Sequence, residues 1–495
     1  MKYAITIALA VLFIMSICQV LVSQTADQTS QPSADTKVCI SCHQMVHPGI
    51  VSDWRNSRHS KLSPKMAIQK PSLERRVSTE IIPATMADNA VGCAECHTMN
   101  ADQHKDSFEH NGFTVHAVVT PKDCSACHPD ELKQYSQSVK YNAIANLMNN
   151  PVYLDLANKI NNIDLIPDPK EKEMVFADSC LYCHGTVITA GESKTRETAL
   201  GSMDFPVLNG WPNQGVGRMN PDNSLGCCTS CHPRHTFSIE TARKPETCAE
   251  CHKGPDVPAY KVYAVSKHGG IYSSVKEKWN FDSVPWVAGE DFSAPVCATC
   301  HVSLIATADG EVVAERSHTF NDRMANRIFG PIFAIPHPID GNTSIIKSPS
   351  GLPIPADLDA ALAKDFLIDE KEMKIRNERM KNLCRQCHSE SWIDGHFELL
   401  ENTIKSTNGV VLESNKVMID AWNKKIAHGL AEGQSIFDEP LERMWVEQWL
   451  FYANSVRFTA AMSGADLGVF ENGRWYMSKT LEQMKEFVKD ESEED

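Results

Sequence analysis

The sequence repeats one five-residue pattern, Cys-x-x-Cys-His, eight times and uses sixteen of its 18 cysteines in it. Two thiols at this spacing can form thioether bonds to the two vinyl groups of a haem, and the adjacent imidazole can bind the haem iron. The sequence therefore predicts eight covalent c-type haems, each with the pentad histidine as proximal iron ligand. In chain order, the first to eighth pentads are Cys39/Cys42/His43, Cys93/Cys96/His97, Cys124/Cys127/His128, Cys180/Cys183/His184, Cys228/Cys231/His232, Cys248/Cys251/His252, Cys297/Cys300/His301 and Cys384/Cys387/His388.

Two other uses of cysteine explain the pattern less well. Zinc ribbons pair Cys-x-x-Cys knuckles and have no reason to place a histidine after every second cysteine. Disulfides in an exported chain would also leave the eight histidines without a role. Cys227, which precedes Cys228, stands outside the pattern and is interpreted as an inert, buried small side chain.

The histidines outside the pentads are candidates for the sixth iron ligands. A haem that only carries electrons normally has a second strong ligand, often His, whereas a haem that does chemistry keeps that position open. Six spare histidines lie in polar, turn-like sequence and are predicted to be sixth ligands. His47, His110 and His396 compete to be the seventh such ligand, and His47 is preferred. His337 and His428 are interpreted as bystanders. The predicted sixth ligands are His47, His59, His104, His116, His235, His268 and His318.

The chain that must position these groups has 495 residues, 42% of them hydrophobic, and a net charge of -15. This composition excludes a disordered chain, and the excess of acidic residues argues against nucleic-acid binding. Because one haem serves about 60 residues, cofactors are expected to organise the fold. We predict a mainly α multihaem cytochrome c with long C-terminal helices and no long strands. Helical patterns cover residues 357–383, 391–405 and 440–462.

An aromatic stripe lies in the last of these helical patterns. Trp445, Trp449, Tyr452 and Val456 follow the spacing of one helix face. Such a stripe usually packs in the core, and a subunit interface is the alternative.

The N-terminus carries a targeting pattern. Lys2 precedes an apolar run that ends near residue 22, which predicts a signal peptide over residues 1–24 and a linker over 25–36. Cys18 lies inside the run and is interpreted as part of the removed peptide. A retained anchor is the alternative, because the run is close to the shortest length that spans a bilayer. We expect export to the periplasm or an equivalent compartment, with a haem-rich region at 37–305, which holds haems 1–7, and haem 8 with the C-terminal helices at 306–495.

The mature sequence resembles the octahaem hydroxylamine oxidoreductases from Cys39 to about Met484, in the number and order of the pentads. The resemblance is most specific over residues 228–238, 243–256 and 266–269. It implies a homotrimer, formed with the C-terminal region, and an open iron at the fourth haem, on Cys180, Cys183 and His184. The sequence agrees with an open fourth site in one respect, because no spare histidine lies between His128 and His235.

Three departures resemble the reductive branch of that family. Where its oxidising members place an Asp-His pair over the open iron, this sequence has Asp256-Val257. Residues 463–470 lack the tyrosine that oxidising members bond to a neighbouring subunit's haem, although Tyr476 lies just beyond. The stretch between the fourth and fifth pentads, including residues 210–218, is longer than in the oxidising members.

These departures predict an oxidoreductase that reduces nitrite or hydroxylamine at the fourth haem, with His184 as proximal ligand and Asp256 as general acid. Arg218 is a candidate for offsetting the charge of the anion. Hydroxylamine oxidation to nitric oxide or nitrite is one alternative, and a pure electron carrier with every haem closed is another. A redox partner such as a cytochrome is expected, without nucleic acid and without a retained membrane span.

Overall fold

Helices dominate the computed structural model, which describes residues 29–429 and 433–494. The predicted signal peptide, Cys18 and the first four linker residues lie outside the described residues. The α-helices are Ala34–Val46, Pro48–Asn56, Pro64–Ile68, Cys93–His97, Pro121–Cys124, Pro129–Ser136, Ala143–Met148, Pro151–Ile160, Pro169–Asp178, Cys180–His184, Ile239–Arg243, Pro245–Ala249, Ala259–Val265, Lys267–Val275, Cys297–His301, Glu370–Cys384, Glu390–Asn423, Pro440–Val446, Ala453–Met462, Ala465–Val469 and Arg474–Glu494. The predicted mainly α class is confirmed.

Among the described residues, the short strands form three antiparallel pairs and one three-stranded sheet. In the three-stranded sheet, Trp286–Val287 and Ile305–Ala306 run parallel to each other. The strands are Ser107–His110, Phe113–His116, Thr189–Thr198, Gly201–Asn209, Trp286–Val287, Ile305–Ala306, Val312–Ala314, Asn326–Arg327 and Ile335–Pro336. The expectation of no long strand is wrong for the hairpin formed by Thr189–Thr198 and Gly201–Asn209, in which Thr198 pairs with Gly201. Most residues of its first strand are exposed on both faces, so the sequence carries no alternation of apolar and polar residues there.

The first pentad lies within the helix Ala34–Val46, and the others lie on single helical turns or at helix ends. Three of the helices consist of a pentad alone, as in Cys93–His97. Cysteines three positions apart share one face of such a turn, which points both thiols at the same group. The turn at Cys93 is anchored by Glu95, whose Oε2 accepts hydrogen bonds from Gly92 N (2.9 Å) and Thr36 Oγ1 (2.7 Å). Thr36 belongs to the helix that carries the first pentad, so this carboxylate joins the first two pentads.

The C-terminal helices form the largest apolar core. Trp445, Trp449 and Val456 are almost fully buried within the chain, whereas Tyr452 is half-buried. The stripe is therefore a core face, and the alternative of a subunit interface is not needed to explain it. A π-helical turn, Glu447–Tyr452, connects Pro440–Val446 to Ala453–Met462, so the predicted segment 440–462 is helical throughout.

The helix predicted over residues 357–383 is shorter in the structure. It begins at Glu370, where the Asp369 carboxylate accepts a hydrogen bond from Glu372 N (2.8 Å) and caps the first turn. Upstream, Ala360 has a φ of 72°, in the left-handed region, which is incompatible with a continuing α-helix. Within residues 29–429 and 433–494, no helix combines the length and apolar character needed to cross a bilayer.

Candidate multihaem centre

The pentads supply the donor set that a c-type haem requires. His97 Nδ1 lies 2.8 Å from His116 O, and His184 Nδ1 lies 3.0 Å from Ala143 O. A ring nitrogen beside a carbonyl must carry the proton, so the Nε2 lone pair of each ring is free for iron. Burial lowers the pKa of His184 and keeps its ring neutral. All sixteen pentad thiols are free of disulfides, so both thiols of every pentad remain for thioether bonds.

The pentads form one continuous path through the protein. Seven thiol pairs from different pentads lie close enough to act on one another. Four of these pairs are Cys39 with Cys93, Cys124 with Cys228, Cys183 with Cys251, and Cys248 with Cys297. The other three are Cys96 with Cys124, Cys231 with Cys248, and Cys300 with Cys384. The path runs through pentads 1, 2, 3, 5, 6, 7 and 8, and pentad 4 branches from pentad 6.

Three predicted attachment cysteines differ from this pattern, because within the described residues no interaction joins them to a thiol of another pentad. Cys42 is half-buried, and its Sγ lies 3.8 Å from Ser41 Oγ. Cys180 Sγ accepts a hydrogen bond from Asn161 Nδ2 at 3.4 Å. Cys387 is exposed, in the turn that follows the helix ending at Cys384. The physical reason is position, since the first, fourth and eighth pentads each have one neighbouring pentad only. Attachment of a haem through these three thiols therefore depends on the local pentad spacing alone and stays a prediction.

Four predicted sixth ligands lie beside a pentad histidine. The ring centroids of His59 and His128 are 6.4 Å apart, and those of His268 and His388 are 6.1 Å apart. His235 interacts electrostatically with His97, and His318 with His232. His318 Nδ1 is also buried without a hydrogen-bond partner. His59, His268, His235 and His318 therefore fit the sixth positions of haems 3, 8, 2 and 5, in that order.

The first pentad has two spare histidines beside it. His47 Nδ1 lies 3.3 Å from His43 Nδ1, with the rings stacked at 5.2 Å. The His110 ring lies 6.0 Å from that of His43 at a tilt of 60°. Because contact with Nδ1 orients a proximal histidine and leaves Nε2 for the iron, this geometry suits His47 to an orienting role. The structure therefore favours His110 over His47 for the sixth position of haem 1.

His104 and His116 lie in a buried polar cluster beside the second pentad. The His104 ring contacts Asp106 Oδ1 through Nδ1 (3.2 Å) and Asp123 Oδ2 through Nε2 (3.2 Å), and it stacks on His116 at 3.6 Å. With both ring nitrogens engaged by carboxylates, His104 has no lone pair left for iron in this arrangement. The His116 ring lies 6.0 Å from that of His97, its Nε2 lies 2.9 Å from Met99 O, and its Nδ1 is buried without a hydrogen-bond partner. The geometry thus speaks against His104, whereas His116 stays a predicted ligand that competes with His235 at the second pentad.

The His104 cluster makes stability depend on pH. Burial lowers the pKa of His104, but hydrogen bonds to Asp106 and Asp123 outweigh it and raise the pKa from 6.5 to about 9. This contribution is complete below pH 6.5 and is lost as pH rises through about 9. The same bonds lower the pKa of Asp106 and Asp123 against the effect of burial, so their contribution is present above the ordinary value of 3.8.

We therefore expect His104→Gln to lower the denaturation midpoint most between pH 4 and pH 6.5, and progressively less toward pH 9. Denaturation midpoints of the wild type and the variant across this range measure the difference. A difference that stays constant with pH would show that His104 is not held as a cation.

The remaining spare histidines differ in their surroundings. His337 is buried, contacts Asn321 Nδ2 at 3.2 Å, and has its pKa lowered by burial to about 3. The half-exposed His428 contacts Glu439 at 2.6 Å. His396 stacks on Trp392, which in turn stacks on His388. The bystander interpretation suits His428, whereas His337 is an internal, hydrogen-bonded residue.

The fourth pentad lies beside acidic and basic groups. Asp256, Arg327 and Lys140 all interact electrostatically with His184, and Asp256 also with Cys183. Of the spare histidines, none has a ring contact with His184 in the described part of the chain. The loop of Asp256 is held by Asn454, whose Nδ2 donates to Asp256 O at 2.8 Å. The predicted acid and the predicted open haem are thus close together.

The position after Asp256 is apolar in its packing as well as in sequence. Val257 contacts a small cluster that includes Val262, Phe458 and Leu467. In residues 463–470 the chain forms the helix Ala465–Val469, and the Phe470 side chain beyond it is exposed. Tyr476 stacks on Tyr452 of the same chain at 5.5 Å.

Arg218 does not fit the role suggested for it. Its side chain is buried, with Nε donating to Asn220 Oδ1 (2.8 Å) and NH1 donating to Asn213 O (2.8 Å). These bonds stabilise the loop that follows the fourth pentad. Arg327 and Lys140, which the sequence analysis did not single out, are the cations that interact electrostatically with His184.

Sequence reasoning also missed Lys140. Its Nζ lies 3.1 Å from His252 Nε2 in the sixth pentad. The charge of Lys140 is the largest cause of the lowered pKa of His252, about 3, ahead of burial. A lone lysine in a turn carries no sequence pattern that would identify it as a ligand.

Comparisons with known proteins agree with the pentad chemistry. Residues 213–329 match the family model "Seven times multi-haem cytochrome CxxCH", and residues 38–119 and 123–204 match "Cytochrome c554 and c-prime". A solved structure titled "Hypothetical multiheme protein" is 38% identical, with a TM-score of 0.88, over 94% of this chain and 97% of that one.

Two proteins of Kuenenia stuttgartiensis are more distant. A "reducing HAO-like protein complex" is 17% identical over 92% of this chain and 85% of that one, and its TM-score of 0.59 shows a shared fold. A "Probable nitrite reductase-hydroxylamine oxidoreductase fusion protein" is 25% identical over 377 residues, which cover 72% of this chain and 35% of that protein. The chain thus spans about a third of that relative's length.

Proposed function

Because this chain belongs to the multihaem c-type cytochromes, we propose that it is an exported octahaem reductase that reduces nitrite, hydroxylamine or both at the fourth haem. The observation that carries the proposal is Asp256 beside His184, because this is the residue that the family resemblance places over the open iron. Of the spare histidines, none in the described residues has a ring contact with His184. His301 of the seventh pentad also has charged neighbours and no such ring contact, so it is Asp256 that distinguishes the fourth site. An iron without a sixth protein ligand beside a proton donor is the arrangement that substrate chemistry needs.

Each group near His184 has a distinct role in this proposal. Cys180, Cys183 and His184 would hold a haem there, which would supply an iron site for the substrate nitrogen and electrons for its reduction. Asp256 donates a proton to the substrate oxygen that leaves as water. Arg327 offsets the negative charge of nitrite. Ala143 O holds the proton on His184 Nδ1 and so keeps Nε2 as the iron ligand.

The continuous path of pentads supports a multi-electron reduction. Reducing nitrite to ammonium takes six electrons, and closely spaced redox groups can deliver them without release of intermediates. Pentad 4 branches from pentad 6, whose thiols contact those of pentads 4 and 7. Electrons from either end of the path would therefore reach the fourth haem through the sixth.

Hydroxylamine oxidation is the second candidate, because the name of the fusion protein of Kuenenia includes a hydroxylamine oxidoreductase. The packing of Val257 in an apolar cluster argues for reduction, because it leaves Asp256 without the second base that would accept protons from hydroxylamine. A pure electron carrier would need a sixth ligand beside His184. We further propose that the protein forms a homotrimer. Its acidic surface should bind a redox partner that carries complementary, basic charge.

Three measurements on the mature protein test this function. Intact mass should show eight covalent haems and no residues from the predicted signal peptide. The reduced protein should bind one carbon monoxide per chain, at the fourth haem. With a strong artificial donor, nitrite and hydroxylamine reduction should be faster than hydroxylamine oxidation. Absence of carbon monoxide binding would indicate the electron carrier, and faster oxidation would indicate the second candidate.

A further inference from the structure

Lys140 lies where four pentads converge. Its charge acts on the histidines of the fourth, sixth and seventh pentads and on Cys231 of the fifth. Its Nζ lies 3.1 Å from His252 Nε2 and 5.1 Å from the centre of the Phe320 ring. Among the described residues, no carboxylate forms a salt bridge with Lys140. It is thus a half-buried amine with an imidazole as its one polar side-chain contact.

The position of Lys140 is set by a well-anchored turn. Ser138 is fully buried, and its Oγ donates to Tyr135 O (2.6 Å) and accepts from Tyr141 N (3.2 Å). Ala143 N donates to Lys140 O (3.2 Å), which starts the helix whose Ala143 O orients His184. One turn therefore places both the proximal ligand of the fourth pentad and the amine beside the sixth.

The nitrogen that Lys140 contacts is the one that a haem iron takes. Metal–imidazole bonds are about 2.0–2.1 Å long, so two axial nitrogens on one iron are about 4 Å apart. The observed 3.1 Å is within about 1 Å of that separation. No spare histidine has a ring contact with His252 in the described residues. We propose that Lys140 is the sixth ligand of the haem on Cys248, Cys251 and His252.

An amine that binds iron would do so through its nitrogen lone pair and would release its proton on binding. This ligand would also close the sixth haem. The sixth haem is the one through which the open fourth haem connects to the rest of the path. This proposal requires only a haem at the sixth pentad and is independent of substrate turnover.

Lys140→Ala tests the ligand by counting open haems. Carbon monoxide bound per chain in the reduced protein should rise by one relative to the wild type, and electron paramagnetic resonance of the oxidised protein should show one additional high-spin haem. Lys140→His should restore the low-spin state, since imidazole can replace the amine. Lys133→Ala removes an exposed lysine seven positions earlier and should leave both counts unchanged.

An unchanged count in Lys140→Ala, with haem content verified by mass, would overturn the proposal. Should that variant fail to mature, near-infrared magnetic circular dichroism of the wild type decides, because amine and imidazole ligands give charge-transfer bands of different energy. Absence of a His–amine band would also overturn the ligation. If the proposed function is wrong, the wild-type protein should have no open haem and should bind no carbon monoxide. The test of Lys140 is separate, because it measures how much carbon monoxide binding rises in Lys140→Ala above the wild-type value.

Discussion

Asp256→Asn should slow nitrite and hydroxylamine reduction by about 10²–10⁴-fold, the contribution that a positioned general acid makes. An amide matches the carboxyl group in size but cannot donate a proton to the leaving oxygen. The loop should keep its place, because Asn454 binds the backbone carbonyl of residue 256 and not its side chain. Steady-state rates with a strong artificial donor measure the loss, and intact mass checks that haem content is unchanged.

Glu250→Gln is the matched control for this prediction. It makes the same chemical change six positions earlier, on an exposed side chain close to the sixth pentad. Its rates should equal those of the wild type. Full reductase activity in Asp256→Asn would remove Asp256 from the reaction. Equal losses in both variants would point to a general effect of charge near the sixth pentad.

Trp445→Ala should lower the free energy of unfolding by about 3–5 kcal/mol, the usual range for removing a large buried aromatic side chain. Trp445 is fully buried, and its ring lies 5.9 Å from that of Trp449. Its Nε1 donates to Asn415 Oδ1 at 2.8 Å, and Asn415 is also fully buried. The substitution therefore leaves both a cavity and an unpaired amide oxygen. Chemical denaturation followed by circular dichroism measures the change.

Trp475→Ala is the control for this prediction. Its side chain is 61% exposed, so removing it should change the free energy of unfolding by less than about 0.5 kcal/mol. A small effect of Trp445→Ala would indicate that the covalent haems, and not this apolar core, determine the stability of the C-terminal helices. Similar large losses in both variants would indicate that Trp475 is buried in an assembly.

The elements that sequence reasoning predicted well are those with a one-sided apolar pattern. The segment 440–462 is helical throughout because its aromatic stripe faces a core within the same chain. The hairpin at residues 189–209 was missed because strands exposed on both faces need no alternation of apolar and polar residues. The start of the helix at Glu370 depends on a local backbone turn at Ala360, which no periodicity predicts.

The pentads look alike in sequence, but the fold gives their thiols different surroundings. Cys183 and Cys251 come from different pentads and lie close enough to interact, whereas Cys42 and Cys387, at the two ends of the path, are not brought together with another pentad's thiol in the described residues. Local spacing specifies which two thiols share a haem. Which haems are neighbours depends on how the chain folds, and the pentad itself carries no signal for it.

The sequence by itself determined the attachment chemistry, because two thiols and an imidazole within five residues meet the same group on a single helical turn. The choice of sixth ligands was decided by the tertiary structure. His268 and His388 are distant in sequence yet adjacent in space, as are Lys140 and His252. The polar, turn-like surroundings of His104 resembled those of His268, but two carboxylates engage its ring. A proximal ligand is specified by local spacing, whereas a distal ligand needs only proximity in the folded chain, which local sequence does not encode.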